Sequence, residues 1–270
     1  MTLAAQFFKE NRRMILFFII GSIIYAVLVA LSIPSLLENQ SDYYQLLKSY
    51  PKEVLKLLSG SNIDIEKIFT LEGSIAGYFT ALWLPVILLG FYLASFSYVI
   101  SRDFEHGTIE ILLSLPVLRR KIVIERSLAV ILSGYLISIL SMMAFYVVLE
   151  LSDVKIGLSR LLLAGVHAST FTLVFGCFEL LLTAVFLERS KPVGISLSVF
   201  LLMHLVETLS DVWKPLEWLS KISLFHYYSP VSALKSGIFP WEELFLFLVL
   251  IFLMVIISIL IFERRDVGLS

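Results

Sequence analysis

The chain has 270 residues, 59% of them hydrophobic and only 16% charged, with a net charge of −1. A soluble domain of this length carries about a quarter charged residues; this one cannot clothe a water-facing surface, so a soluble core is excluded and the chain must sit in lipid. The near-neutral balance also argues against a nucleic-acid partner.

Residues 1–13 read as an amphipathic helix, with Leu3, Phe7 and Phe8 against Lys9, Glu10, Arg12 and Arg13. The apolar run that follows is long enough to span, which makes it an anchor and not the shorter apolar region of a cleavable signal. A spanning helix needs ~20 mainly apolar residues. Stretches 14–34, 73–100, 122–150, 160–187, 192–210 and 244–262 meet that requirement. The connector at 35–72 holds a helical pattern in Tyr43, Leu46, Leu47 and Tyr50, resumed after Pro51 by Val54, Leu55, Leu57 and Leu58. The connector at 211–243 is aromatic, with Trp213, Trp218, Phe225, Tyr227, Tyr228, Phe239 and Trp241. Rings with a polar handle favour the headgroup level, so short helices are expected there, lying at the outer interface or dipping inward under protein cover. With no tandem repeat, the sequence reads as one all-α integral membrane domain of six transmembrane helices over 1–270. Its single cysteine, Cys177, lies in an apolar run and reads as a buried thiol.

An even number of spans puts both termini on one side. That side collects Lys9, Arg12, Arg13, Arg102, Arg119, Arg120, Lys121, Arg126, Arg189, Lys191, Arg264 and Arg265, mostly in short segments flush with span ends. The opposite side carries Lys48, Lys52, Lys56, Lys67, Lys155, Arg160, Lys214, Lys221 and Lys235, several of them in long connectors, which count little. Both termini and the segment 101–121 are therefore predicted to be cytoplasmic.

Segment 101–121 is the most informative part of the chain. Gly107 and Thr108 permit a turn and an N-cap. Glu110 falls in the first turn, where the helix dipole favours negative charge. Ile109, Leu112 and Leu113 form an apolar stripe, and Pro116 stops the helix. These features alone fit an interfacial helix without a partner equally well. The residues Glu105-His-Gly-Thr-Ile-Glu110, then Leu113, Leu115-Pro116, Arg119 and Lys121, resemble the signature cytoplasmic loop of the type-2 exporter permeases of ABC transporters. An N-terminal amphipathic helix, six spans, Tyr228-Ser229-Pro230 before the last span and Phe262-Glu-Arg-Arg-Asp266 after it also recur in that family, so the resemblance covers nearly the whole chain.

The resemblance implies a coupling helix that docks on a separate cytoplasmic ABC ATPase, with Glu105, Gly107, Thr108, Glu110, Leu113 and Pro116 in the docking segment and 1–13 as an elbow helix. It implies two permeases, as a homodimer or pseudo-dimer, with two ATPases in the plasma membrane of the cell, ATP and Mg²⁺ residing on the partner. The chain itself has no Gly-x-x-x-x-Gly-Lys-Ser/Thr run to cradle phosphates, so it is expected to be no enzyme and to hold no cofactor. A gradient-driven secondary transporter or channel stands as the alternative.

Ionisable groups at bilayer depth cost ~2.5–3.5 kcal/mol and usually face a bundle interior or a cavity. Glu179, His167, His204 and Glu207 are the candidates for a substrate path, against the plainer reading of buried groups satisfied by neighbours. Ser22, Tyr92, Ser198 and Ser258 lie at a depth similar to Glu179 and could hydrogen-bond it. His167 and His204 lie near the outer ends of consecutive spans, with Glu207 one turn beyond. A zinc site wants three or four ligands; two histidines and one carboxylate assign no metal.

Overall fold

The computed structural model describes residues 3–39, 70–75, 79–81, 83–105, 107, 118–210, 213, 215, 217–230, 234 and 240–265. The helical pattern expected within 40–69, and Thr108, Glu110, Leu113 and Pro116, lie outside the described residues.

The described helices are α1 (Leu3–Glu38), α2 (Leu71–Ile75), α3 (Trp83–Glu105), α4 (Arg119–Leu151), α5 (Leu158–Phe186), α6 (Ser190–Ser210), α7 (Glu217–Ser220) and α8 (Trp241–Arg264), with a 3-10 turn at Leu224–Tyr227. Among them α1, α3, α4, α5, α6 and α8 are long and apolar enough to cross a membrane. The all-α, six-span expectation therefore holds.

Two boundaries differ from the sequence reading. The N-terminal amphipathic segment is helical but is not a separate element: α1 runs unbroken through 36 residues, about 54 Å at ~1.5 Å per residue, well beyond the ~30 Å of a hydrocarbon core. Nothing between Arg13 and Met14 breaks the backbone ladder, so the amphipathic turns extend the span. The second span starts at Trp83 and not at 73, with Leu71–Ile75 set off as α2. Pro85 sits in the first turn of α3. A proline has no N–H to give the preceding turn and its ring crowds the carbonyl four residues back, so it belongs in a first turn. Elsewhere the helices overrun the apolar stretches by a few polar residues, as at Arg102–Glu105 and Arg119–Lys121, because backbone hydrogen bonding does not stop where hydrophobicity does.

Short connectors fold consecutive spans against each other. After α4 the Ser152 N–H donates to the carbonyls of Val148 and Leu149 at 3.1 and 3.0 Å. After α5 the chain reverses through Leu187, whose φ of 56° is left-handed, and its N–H donates to the Thr183 carbonyl. Helices α3 and α5 form the centre, each with 72% of its spanning window buried, against 17–22% for α1, α6 and α8. The peripheral helices turn large apolar side chains outward: Leu16, Phe17, Ile20, Ile24, Leu28 and Leu31 on α1 are 52–71% exposed.

The centre packs closely because small residues face large ones. A Cβ added at Gly134 on α4 would lie 2.3 Å from the Tyr92 hydroxyl, and one at Gly176 on α5 would lie 2.9 Å from the Tyr92 Cβ and Phe96 ring. Glycine lets α3, α4 and α5 approach to this distance. Hydroxyl pairs then stitch the contact: Tyr92 Oη and Ser169 Oγ at 2.7 Å, Tyr135 Oη and Thr170 Oγ1 at 2.7 Å. The Ser138 hydroxyl donates to the Gly165 carbonyl at 2.7 Å.

Candidate coupling and transport site

One end of the bundle gathers the roots of segment 101–121. Helix α3 ends at Glu105, which is exposed. The Gly107 N–H donates to the Phe104 carbonyl at 3.1 Å, and Gly107 has a φ of 65°. No heavy atom of the described residues lies within 4 Å of where its Cβ would be; the left-handed backbone by itself favours glycine here. The chain re-enters the described structure at Leu118, extended at φ −66° and ψ 134°, and α4 follows.

The helices entering and leaving this segment are clamped to each other. The Arg126 guanidinium on α4 donates to Asp103 Oδ2 at 2.6 Å and to the Val99 carbonyl at 2.9 Å, both on α3. The two charged side chains are only 11% and 13% exposed, so the pair is shielded from solvent and its attraction is little screened. The same roots are tied to both terminal helices. Arg102 donates to Glu10 on the N-terminal extension of α1. Arg119 donates to the Arg265 carbonyl at the end of α8 at 2.7 Å, and the Phe104 and Phe262 rings meet edge-on at 6.4 Å. Arg265 reaches across to the last-turn carbonyls of α5, donating to Ala184 at 3.0 Å and also to Val185. Arg189, just past α5, lies 4.2 Å over the Tyr98 ring of α3. Five of the twelve basic residues that the charge asymmetry placed on one side, Arg102, Arg119, Arg126, Arg189 and Arg265, meet here.

Of the membrane-depth candidates, Glu179 is fully buried. Its Oε1 accepts from Thr183 of its own helix at 2.8 Å, while Oε2 has no hydrogen-bond partner among the described residues. None of the four inter-helix partners considered for it makes that bond. Tyr92 pairs with Ser169, and Ser22, Ser198 and Ser258 bond back to carbonyls on their own helices. Serine and threonine in a helix find a carbonyl three or four residues back without help from any neighbour, and that local bond wins here.

The other three candidates converge at the opposite end on one short segment, Ser223–Tyr228. The His167 ring stacks on Tyr228 at 5.1 Å and His204 lies against Phe225 at 4.9 Å. Glu207 Oε1 is 3.4 Å from His226 Nδ1. The segment is pinned where it lies: Ser223 donates to the Met203 carbonyl at 3.0 Å, and the Tyr228 hydroxyl to the carbonyl of Thr80, ahead of α3. Tyr228 also stacks on Phe171 at 4.3 Å and 9°. Burial pushes the Tyr228 phenol pKa up, so it stays a donor. Phe225 and Tyr228 therefore pack inward against α5 and α6, whereas Trp213, Trp218 and Trp241 are exposed. Sequence reasoning passed over His226, and the aromatic run around it was the only signal available. His167 and His204 face different rings of this segment, and no group of three or more His, Cys, Asp or Glu side chains able to hold a metal ion forms among the described residues.

The arrangement can transmit displacement. One end has a clamped pair of helices carrying an interposed segment; the other has a packed aromatic plug; and α3 and α5, with buried polar groups between them, connect the two. A family model described as ABC-2 family transporter protein matches residues 1–267. No curated protein matches the chain.

Proposed function

The chain belongs to the ABC-2 family of transporter proteins and is a membrane permease of that kind; from that premise we propose that it is the membrane half of an ATP-driven exporter, worked by a separate cytoplasmic ATPase through segment 101–121. The observation that carries this reading is the clamp at the roots of the segment. Asp103–Arg126 locks α3 to α4, Glu10–Arg102 adds α1, and the Arg119 contact adds α8. A push delivered between Glu105 and Arg119 moves these helices as a unit, because a hydrogen-bonded helix is stiff along its axis. Glu105, Gly107, Thr108, Glu110, Leu113 and Pro116 form the surface that meets the ATPase, which supplies ATP and Mg²⁺. A second copy completes the permease, and segment 101–121 and both termini face the cytoplasm of the cell membrane. Closure of the ATPase pair displaces the clamped roots, and α3 carries the motion toward the plug at Ser223–Tyr228. Glu179 and His167 on α5 and His204 and Glu207 on α6 are assigned to the substrate path.

Purification of the tagged full-length chain from its native membrane tests this reading. An ATPase subunit is expected to co-purify, and Glu110→Lys is expected to lose it while membrane insertion is unchanged. Recovery of the same ATPase with the variant would move the docking surface elsewhere. The buried Glu179 carboxylate, with one oxygen lacking a partner among the described residues, keeps a gradient-driven transporter as the second reading. Transport by the chain alone, abolished by Glu179→Gln, would favour it.

A further inference from the structure

Between the C-terminal ends of α5 and α8 lies a cleft of about 550 Å³, lined by Val185, Ile257, Leu260, Ile261, Arg264 and Arg265. Its walls are aliphatic and its head is basic. Val185, Ile257 and Leu260 are 40–46% exposed, so the apolar wall is open to an occupant. The charge at the head is arranged for an anion. The last carbonyls of a helix carry its negative end, which by itself would repel an anion. Here Arg265 donates to the carbonyls of Ala184 and Val185 and offsets that charge. Arg264 is exposed and makes no ion pair with a described residue. Arg119 donates to the Arg265 carbonyl at 2.7 Å and so holds the backbone of the head in place. Glu263, the acidic neighbour of Arg264, is not part of the lining.

We propose that this cleft binds one anionic phospholipid, its phosphate between Arg264 and Arg265 and an acyl chain along Val185, Ile257, Leu260 and Ile261. Depth fits the assignment. Arg264 ends α8, where a span reaches the headgroups, and Ile257 lies two turns deeper, ~10 Å along the axis. A free phosphate would use the head and leave the walls bare. Basic pockets between spans are the usual form of anionic headgroup recognition. The site rests on the membrane placement of the chain and is independent of whether segment 101–121 docks an ATPase.

Native mass spectrometry of the delipidated full-length chain in detergent tests the proposal. The probes are phosphatidylglycerol, phosphatidylcholine with the same acyl chains, and glycerol phosphate as the free headgroup. One phosphatidylglycerol is expected to remain bound at concentrations where phosphatidylcholine dissociates, with no retention of glycerol phosphate. Arg264→Gln should weaken phosphatidylglycerol about fivefold, the equivalent of ~1 kcal/mol per basic charge near an anionic surface. Ile257→Trp, which fills the cleft, should remove the bound lipid from monodisperse, fully helical protein. Lys191→Gln, on an exposed lysine at the start of α6, should change nothing. Equal retention of the two lipids, or equal weakening by all three variants, would overturn the proposal. So would displacement of phosphatidylglycerol by glycerol phosphate, or lipid retained in Ile257→Trp while its oligomeric state changes, which would make the cleft a contact between copies.

Discussion

At the residue scale the two most informative positions are glycines with opposite reasons for being glycine. Gly134 is fixed by space, since any Cβ would collide with the Tyr92 hydroxyl. Gly134→Ala is expected to destabilise the chain by about 1–3 kcal/mol, the usual range for overpacking, seen as a lowered thermal midpoint in detergent. Gly21→Ala, with nothing within 4 Å, should leave that midpoint unchanged. Gly107 is fixed by backbone, with a φ of 65° and no described residue crowding it. Asparagine tolerates this region and a β-branched residue does not. Gly107→Asn should therefore retain ATPase co-purification and Gly107→Val should lose it, with equal membrane insertion for both. The sequence made Gly107 legible because glycine stood beside a threonine, a residue type suited to an N-cap. It could not show that Glu179 bonds to Thr183 on its own helix, because choosing among Ser22, Tyr92, Ser198 and Ser258 required knowing which helix faces meet.

At the element scale, spans were legible because crossing a membrane demands length and apolarity, both of which composition reports. Their ends were less so, since Arg102–Glu105 and Arg119–Lys121 are polar yet helical, and α1 passes through its amphipathic turns without a break. The inward packing of Ser223–Tyr228 was only half legible. Its aromatics announced burial at an interface, but the convergence of His167, His204 and Glu207 on it is a tertiary event with no local signature. The element on which the proposed coupling depends most is the α3–α4 clamp. Removing one partner of a shielded ion pair leaves an uncompensated charge, at a cost of about 3–5 kcal/mol. Asp103→Ala and Arg126→Ala should each lower the thermal midpoint markedly. The double variant should recover part of the loss, so that the double-mutant cycle gives a clear coupling energy. Strict additivity would mean the clamp does not act as a pair.

At the scale of the whole molecule the chain is a central pair of helices with an outward apolar shell, a charged belt at one end and an aromatic cluster at the other, and the proposed coupling treats it as a transmission. The belt unites Glu10, Arg102, Asp103, Arg119, Arg126, Arg189 and Arg265, residues scattered along the sequence and brought to one face by six spans of alternating direction. That gathering explains why charge asymmetry alone could assign one side to both termini and to segment 101–121. It also makes a single topological experiment decisive. Glu110→Cys is labelled with a membrane-impermeant maleimide in intact cells and in inverted vesicles, with and without the partner ATPase. Labelling only in inverted vesicles, suppressed when the ATPase is present, is the result expected of a segment through which that partner drives the bundle. Labelling from outside intact cells, or cytoplasmic labelling indifferent to the ATPase, would contradict it.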